Sequence, residues 1–297
     1  MTIAARKLAT TQPAVSQILK HLEDAIGSPL LDRELRPLRL TPSGTAVFAR
    51  AKQLLWDAER LYREVQVASN CGLPRLRIGF VDSFAATAGP HLVKSLRDDV
   101  EQLLVWSGIA PDLREEFLCR DLDLIISPDP LDGIEHIECR RIVRESYILV
   151  LPAALRHSAK SMSLPELANR HPLVRFSNRS LMGAQIDRHL HWQRIEASKR
   201  LEFDSSESVI GMVAEGVGWA IATPLSLAQA PSAFPKIFPI PLPGPPLARS
   251  LYVVYRPGEF GGMPERIATQ CTHIFNKEIR PKLLTLANWL GEHFQEQ

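Results

Sequence analysis

Ala5-Arg6-Lys7-Leu8-Ala9-Thr10-Thr11-Gln12-Pro13-Ala14-Val15-Ser16-Gln17-Ile18-Leu19-Lys20-His21-Leu22-Glu23 is the stretch on which the reading of this chain turns. It reads as two short helices joined by a tight turn. Pro13 is tolerated only in the first turn of a helix, and Thr10 or Thr11 can cap that turn. Val15, Ile18, Leu19, Leu22 and Ile26 recur at three- and four-residue steps and form one apolar stripe. Ser16, Gln17, Lys20 and His21 fall off the stripe, and Gly27 ends the helix. A helix presenting Gln12, Ser16, Gln17 and Lys20 from its N-terminal half can enter a major groove. Amide side chains pair there with adenine edges, hydroxyls with base edges or phosphate. Its N-terminal amides suit a phosphate oxygen. On periodicity alone, an ordinary amphipathic surface helix accounts for the same pattern.

The next segment shifts the balance. Leu30-Leu31-Asp32-Arg33-Glu34-Leu35-Arg36-Pro37-Leu38-Arg39-Leu40-Thr41 reads as a short β-hairpin with alternating arginines. A basic wing beside a reading helix grips the flanking backbone or minor groove. Any one of these arginines can equally be a solvated loop residue.

Thr11-Gln12-Pro13-Ala14-Val15-Ser16-Gln17, followed by Leu22-Glu23, Gly27, Leu30-Leu31, Arg33 and Leu40-Thr41-Pro42-Ser43-Gly44, resembles the winged helix-turn-helix of LysR-type transcriptional regulators. Leu30-Leu31 stands where that family usually has Leu-Phe, and the hairpin spacing differs too. The resemblance implies double-stranded DNA, a promoter or operator, as a partner. The expected contact set is Thr11, Gln12, Pro13, Ser16, Gln17, Lys20, Arg33, Arg36 and Arg39. LysR-type domains normally carry one more helix ahead of these two. Only Met1 to Ala4 precede the expected Ala5–Thr10 helix. We therefore expect a winged helix-turn-helix over 1–45 that lacks its first helix and is marginal in stability, with an upstream-extended chain binding DNA more tightly. The alternative reading is a ligand-binding sensor of the same family that has lost DNA binding through this truncation.

Thr41 or Ser43 can start a new helix. Val47, Ala51, Leu54, Ala58, Leu61, Val65 and Ala68 follow it at alternating steps of four and three, a heptad seam, with Lys52, Arg60, Arg63 and Glu64 away from it. A long helix with one narrow seam needs a partner helix, unless it packs on its own chain. In LysR-type proteins this segment, 46–72, resembles the linker helix that dimerises. Self-association as a dimer or tetramer follows, and two modules on one face of DNA can read two half-sites. Contact with RNA polymerase is part of the same implied role. Ser69-Asn70-Cys71-Gly72-Leu73-Pro74 breaks the helix.

From Arg75 strands alternate with helices. Strands are expected at 76–81, 103–106, 122–126, 147–151, 173–176, 201–203, 219–222, 237–242 and 251–255, with helices at 85–96 and 112–118. This implies an α/β architecture with largely parallel sheets. The order resembles the effector-binding half of LysR-type proteins, which is similar to two-lobed periplasmic solute-binding proteins. That domain would cover 73–297, with lobe I at about 73–151 and 252–297 and lobe II at about 152–251. Ligands of such sheets bind at the carboxyl ends of strands. Asp82-Ser83, Ser127, Ser177-Asn178 and Asp204-Ser205 follow strands there. The expected effector set is Ser83, Phe84, Ser127, Ser177, Asn178, Asp204 and Ser205, with Ser83 also placed there by the resemblance. Each Ser or Asn can instead cap the next helix, and Phe84 and Trp219 can lie in the core beneath the cleft. Hydroxyls and helix amides suit a small carboxylate or similar anion, although Asp82 and Asp204 weigh against a purely anionic ligand.

Composition sets the limits around this reading. The chain has 297 residues, is 45% hydrophobic and carries a formal charge of +2, so any nucleic-acid surface must be local. Cys71, Cys119, Cys139 and Cys271 form no CxxC pair, which fits a reduced, cytoplasmic compartment. The N-terminus lacks the apolar core of a signal peptide, and Tyr147 to Leu155 is too short to span a bilayer. Gly216-Val217-Gly218 lacks the rest of a dinucleotide fingerprint. His189 and His191 face different ways on a helix, and no nucleophile elbow or phosphate-binding loop occurs. We expect no enzyme, no cofactor, no metal and no membrane partner.

Overall fold

The computed structural model describes residues 2–33, 38–68, 73–157, 162–197, 200–291 and 294–295. Two compact units are present, one up to residue 61 and one from residue 62 onward.

The first unit opens with α1 (Thr2–Lys7) and α2 (Gln12–Ile26). Thr11 caps α2 by accepting the Ala14 N–H, and Pro13 sits in the first turn, where no helical hydrogen bond is lost. At the other end Gly27 takes φ 73° and donates its N–H to the Glu23 carbonyl 2.9 Å away, a left-handed cap that a side chain resists. Ala5 and Val15 are buried, so α1 covers the first turns of α2. The expected apolar stripe is covered only there: Ile18, Leu22 and Ile26 are 62%, 40% and 42% exposed.

The wing is a hairpin of β1 (Leu31–Asp32) and β2 (Arg39–Leu40), antiparallel with Leu31 opposite Leu40. Its tip, 34–37, lies outside the described residues, and with it Arg36. Of the two possible starts for the next helix, α3 (Pro42–Ala68), Thr41 is the one used. Its hydroxyl donates to the Pro29 carbonyl at 2.7 Å and accepts the Gly44 N–H at 2.9 Å. Gly44 is required there, because a Cβ would stand 1.9 Å from the Leu30 carbonyl oxygen. Along α3, Val47 is half-buried while Ala51, Leu54, Ala58 and Leu61 are exposed. The side chains of the seam's last members, Val65 and Ala68, lie outside the described set, as do those of Arg60, Arg63 and Glu64 and the whole of the 69–72 break.

The second unit begins with β3 (Leu73–Val81), α4 (Asp82–Ala85), α5 (Gly89–Leu96), β4 (Val100–Gly108), α6 (Ala110–Leu118), β5 (Leu124–Ser127) and β6 (Glu138–Ser146). It crosses into β7 (Ile148–Pro152), α7 (Leu164–Arg170), β8 (Leu173–Phe176), α8 (Leu181–Trp192), β9 (Arg200–Phe203), α9 (Ser206–Ala214), β10 (Ala220–Ala222), α10 (Pro224–Ala228) and β11 (Ile237–Pro241). It returns through β12 (Ala248–Tyr255) to α11 (Met263–Ile274), α12 (Arg280–Leu286) and β13 (Phe294–Gln295). One sheet has the order β13-β6-β12-β5-β3-β4. The other lobe holds β10-β7-β11 and β8-β9, linked by a parallel bridge between Leu173 and Trp219 and by the Val174 N–H donating to the Trp219 carbonyl at 2.8 Å.

Three expectations need correction. The sheets are mixed rather than largely parallel. β3 runs parallel to β4 and β5, but β12 is antiparallel to β5 and β6, and β7 is antiparallel to β10 and β11. β7 and β12, the strands by which the chain enters the second lobe and returns to the first, are the ones that run against these neighbours. The crossing lies at Tyr147 and the return before Ala248, so β7 belongs to the second sheet and all of β12 to the first. The expected helix over 85–96 is two helices, because the Thr87 hydroxyl turns back to the Ser83 carbonyl at 2.6 Å and Gly89-Pro90 starts afresh.

The core fills both lobes, with Trp219, Tyr147, Phe80, Phe84 and Phe117 among its largest buried side chains. Trp219 stays satisfied by donating its indole N–H to the His171 carbonyl at 3.1 Å. Asp123, fully buried, is held by Arg77 through its backbone N–H and guanidinium, which ties the loop before β5 to β3.

Candidate nucleic-acid interface and ligand cleft

On α2, Gln12, Pro13, Gln17 and Lys20 are exposed and Ser16 is half-buried, so the polar face stands open opposite the buried Val15. Thr11 belongs to the cap. Glu23, at the far end of α2, fastens the wing. Its Oε1 accepts the N–H groups of Leu30 and Leu31 at 2.9 and 3.3 Å, and Oε2 lies 2.7 Å from Arg33. The Leu30 amide, helped by Leu31 and the Arg33 guanidinium, holds the Glu23 carboxyl below the ordinary glutamate range. Arg33 is thus drawn back onto α2, which gives it a structural role in the wing. Arg39 is exposed on β2.

Within the second unit a cleft opens between the two lobes. From the first lobe Asp82 and Ser83, the Gly108–Ala110 turn and Pro128 line it; from the second come Phe176, the start of α8, Asp204 and Ser206. Its void is about 450 Å³ counting solvent at the open mouth. At the floor lies Arg249 of β12, paired across the strands with Glu145 of β6. Arg249 Nη2 and Nε lie 2.6 and 2.8 Å from Glu145 Oε1, and Oε2 accepts the Leu225 N–H at 2.9 Å. Nη2 also donates to Ser83 Oγ in one lobe and Thr223 Oγ1 in the other, both at 3.2 Å. One buried guanidinium therefore touches a hydroxyl from each side of the cleft.

The expected effector residues divide. Ser83 and Asp204 line the cleft. Phe84 does not. Its ring is fully buried against Phe80 and Phe275, with centroids 5.0 and 5.9 Å away. Ser127 is buried and accepts the Asp129 N–H, and Ser177 accepts the Arg179 N–H. Asn178 accepts from Arg175 rather than facing the cleft, and Ser205 caps α9. Ser205 does the helix capping that was the other reading, Ser127 and Ser177 tie turns, Asn178 holds Arg175, and the neighbours Pro128, Ser180 and Ser206 form the wall instead. Glu145, Arg249 and Thr223 were not anticipated. Thr223, just before Pro224, carries a readable cap signal, and its hydroxyl accepts the Ser226 N–H. Nothing local marks Glu145 and Arg249, which are 104 residues apart and meet only through strand register.

Among the described residues no group of three or more His, Cys, Asp or Glu could hold a metal ion, and no helix is long and apolar enough to cross a membrane.

A winged helix-turn-helix followed by a two-lobed cleft domain defines a class: ligand-responsive DNA-binding regulators. Comparison with known proteins agrees. Residues 1–45 match the bacterial regulatory helix-turn-helix protein of the lysR family, and residues 73–263 match the LysR substrate binding domain. The small neutral protease regulatory protein of Streptomyces coelicolor is 29% identical over 246 residues, 80% of this chain and 73% of that one. The transcriptional activator CmpR of Synechocystis is 26% identical over 266 residues, 86% of this chain and 84% of its own length. A full-length OxyR point variant of Pseudomonas aeruginosa superposes with a TM-score of 0.71 at 22% identity, covering 93% of this chain and 89% of that one. CbnR in complex with its target DNA superposes at 0.58 with 17% identity, covering 95% and 93%. The chain belongs to the LysR family of transcriptional regulators.

Proposed function

We propose that this regulator reads an operator sequence with the exposed polar face of α2 and answers to a small molecule in the cleft of its second unit. The observation that carries the reading is the pair of open faces: Gln12, Gln17 and Lys20 stand free on a helix capped and oriented for a groove, and a hydroxyl- and charge-lined cleft lies between two lobes. Gln17 and Ser16 supply base contacts, Arg39 a backbone contact. The exposed seam of Ala51, Leu54, Ala58 and Leu61 pairs with the same helix of a second copy, so two reading heads address two half-sites. A ligand that binds one arrangement of the lobes better than another shifts that equilibrium, and α3 carries the shift to the reading heads. CbnR, a protein of the same fold, has been seen on its target DNA.

The test is a genome-wide DNA pull-down with the full chain, followed by footprinting of the recovered site with and without a metabolite panel. A discrete recovered site whose footprint one compound changes is the expected result. Recovery of no specific sequence would leave a sensor without DNA binding. A footprint unchanged by every compound would remove ligand control.

A further inference from the structure

The charges around the cleft are unequal, and the inequality specifies the ligand. Three charged residues line it: Asp82, Asp204 and Arg249. Arg249 is the cation, and Glu145, fully buried behind it, takes its charge through contacts at 2.6 and 2.8 Å. The carboxylates are not matched in this way. Asp82 has no side-chain ion pair among the described residues, and Asp204 meets only the exposed Arg179 among them, at 3.9 Å. An entering anion therefore faces two carboxylates and a cation already neutralised, while an entering ammonium finds Asp82 without an ion pair among the described residues and Asp204 held only by an exposed arginine.

The floor has the opposite character. The Arg249 side chain is 5% exposed, and Nε and Nη2 make all of its hydrogen bonds among the described residues, so Nη1 has two N–H donors uncommitted. Ser83, also 5% exposed, accepts from Arg249 and has no acceptor for its own hydroxyl proton among the described residues. Both side chains line the cleft, so these uncommitted donors are open to an acceptor oxygen that takes the place of water there.

We propose that the cleft takes a small zwitterion of amino-acid type, its ammonium held by Asp82 and Asp204 and its carboxylate or carbonyl oxygen received by Arg249 Nη1 and Ser83 Oγ. The proposal rests on the reading of this cleft as the effector site. Phe176, Leu181 and Met182 are the apolar wall of the second lobe, facing Ile109 and Pro128 of the first, and such walls suit a short aliphatic or aromatic side chain. Because Arg249 touches a hydroxyl in each lobe, an oxygen bound at its free edge is sensed by both lobes together.

The experiment is thermal-shift screening and calorimetry on the full chain. The panel holds the proteinogenic L-amino acids, the matching acids without the amine (acetate, propionate, succinate) and amines without the acid (ethylamine, putrescine). At least one amino acid is expected to raise the melting temperature, and neither its deaminated nor its decarboxylated counterpart should do so at tenfold higher concentration. D82N and D204N, both at exposed residues, are expected to weaken that amino acid at least tenfold while keeping a cooperative melt. Binding of succinate or another plain acid, unaffected or strengthened in D82N, would overturn the zwitterion and leave ligand control standing. Binding of a plain amine as tight as the amino acid would overturn the role of Arg249 and Ser83. No response to any class, with no change in DNA footprint, would overturn the proposal and ligand control together.

Discussion

Arg249 and Glu145 face each other across β12 and β6 at the point where the chain passes between the lobes, Glu145 fully buried and the Arg249 side chain 5% exposed, at the cleft. A buried pair of this kind resists the loss of one partner far more than the loss of both, because the survivor keeps its desolvation without its counter-charge. Arg249→Met is expected to cost about 3–5 kcal/mol in urea unfolding of the full chain, and the double change Arg249→Met with Glu145→Leu to recover most of it. A single-variant loss under about 1 kcal/mol would mean the pair behaves as a surface one.

Glu23 gives the first unit a defined acid limb. Its carboxyl titrates below the ordinary glutamate value in the folded state, chiefly because the Leu30 amide donates to the charged form. A depressed folded pKa contributes stability that is present above the unfolded value and lost as pH falls through the folded one. Melting of the first unit is therefore expected to drop below about pH 4, and Glu23→Gln to lower stability at pH 7 while flattening that drop. Parallel curves for the two proteins would count against the wing's dependence on Glu23.

Base-reading and backbone-gripping residues separate in a binding-site selection assay. Gln17→Ala or Ser16→Ala is expected to relax preference at one or two base pairs by about 1–3 kcal/mol. Arg39→Ala should weaken all sequences alike and reduce the salt slope by about one. The opposite partition would reassign helix and wing.

Gly44 has no room for a side chain beside the Leu30 carbonyl. Gly44→Ala is expected to destabilise the first unit by about 1–3 kcal/mol or more, as overpacking against an unyielding group does. Operator affinity should fall with the melting of that unit while the transition of the second unit stays in place, which circular dichroism and gel shift measure together.

Leu54 and Leu61 are 63% and 65% exposed on one seam of α3. Leu54→Glu with Leu61→Glu places four like charges at a dimer seam. Sedimentation is expected to show a monomer, with operator affinity down at least tenfold from loss of the second half-site. An unchanged dimer would locate self-association elsewhere.

Much of the first unit was legible because its signals are local. Thr11, Pro13 and Gly27 each act on backbone within a few residues, so the bounds of α2 can be read from one window of sequence. Arg33 could not be read that way: its guanidinium is claimed by Glu23, ten positions earlier, and only the turn after α2 brings them together. β6 escaped notice because its exposed start, Glu138 to Arg141, breaks the apolar alternation that marks a strand, and its register comes from β12. For Phe84 the sequence leaves cleft and core both open, and α4 decides for the core by turning the ring inward onto Phe80 and Phe275.

The order of residues alone determined the family, the helix-turn-helix, the long seam and most strands of the second unit, since caps, prolines, glycines and hydrophobic period act at short range. Tertiary structure alone decided the charge pairing at the floor of the cleft. Strand register and the crossing at Tyr147 set Arg249 against Glu145, bring Ser83 and Thr223 to one guanidinium, and leave Asp82 and Asp204 without a buried counter-charge. Pairings such as those of Arg249 with Glu145 and Ser83, 104 and 166 positions apart, leave no periodic trace in the chain; they exist only once the core has closed around them.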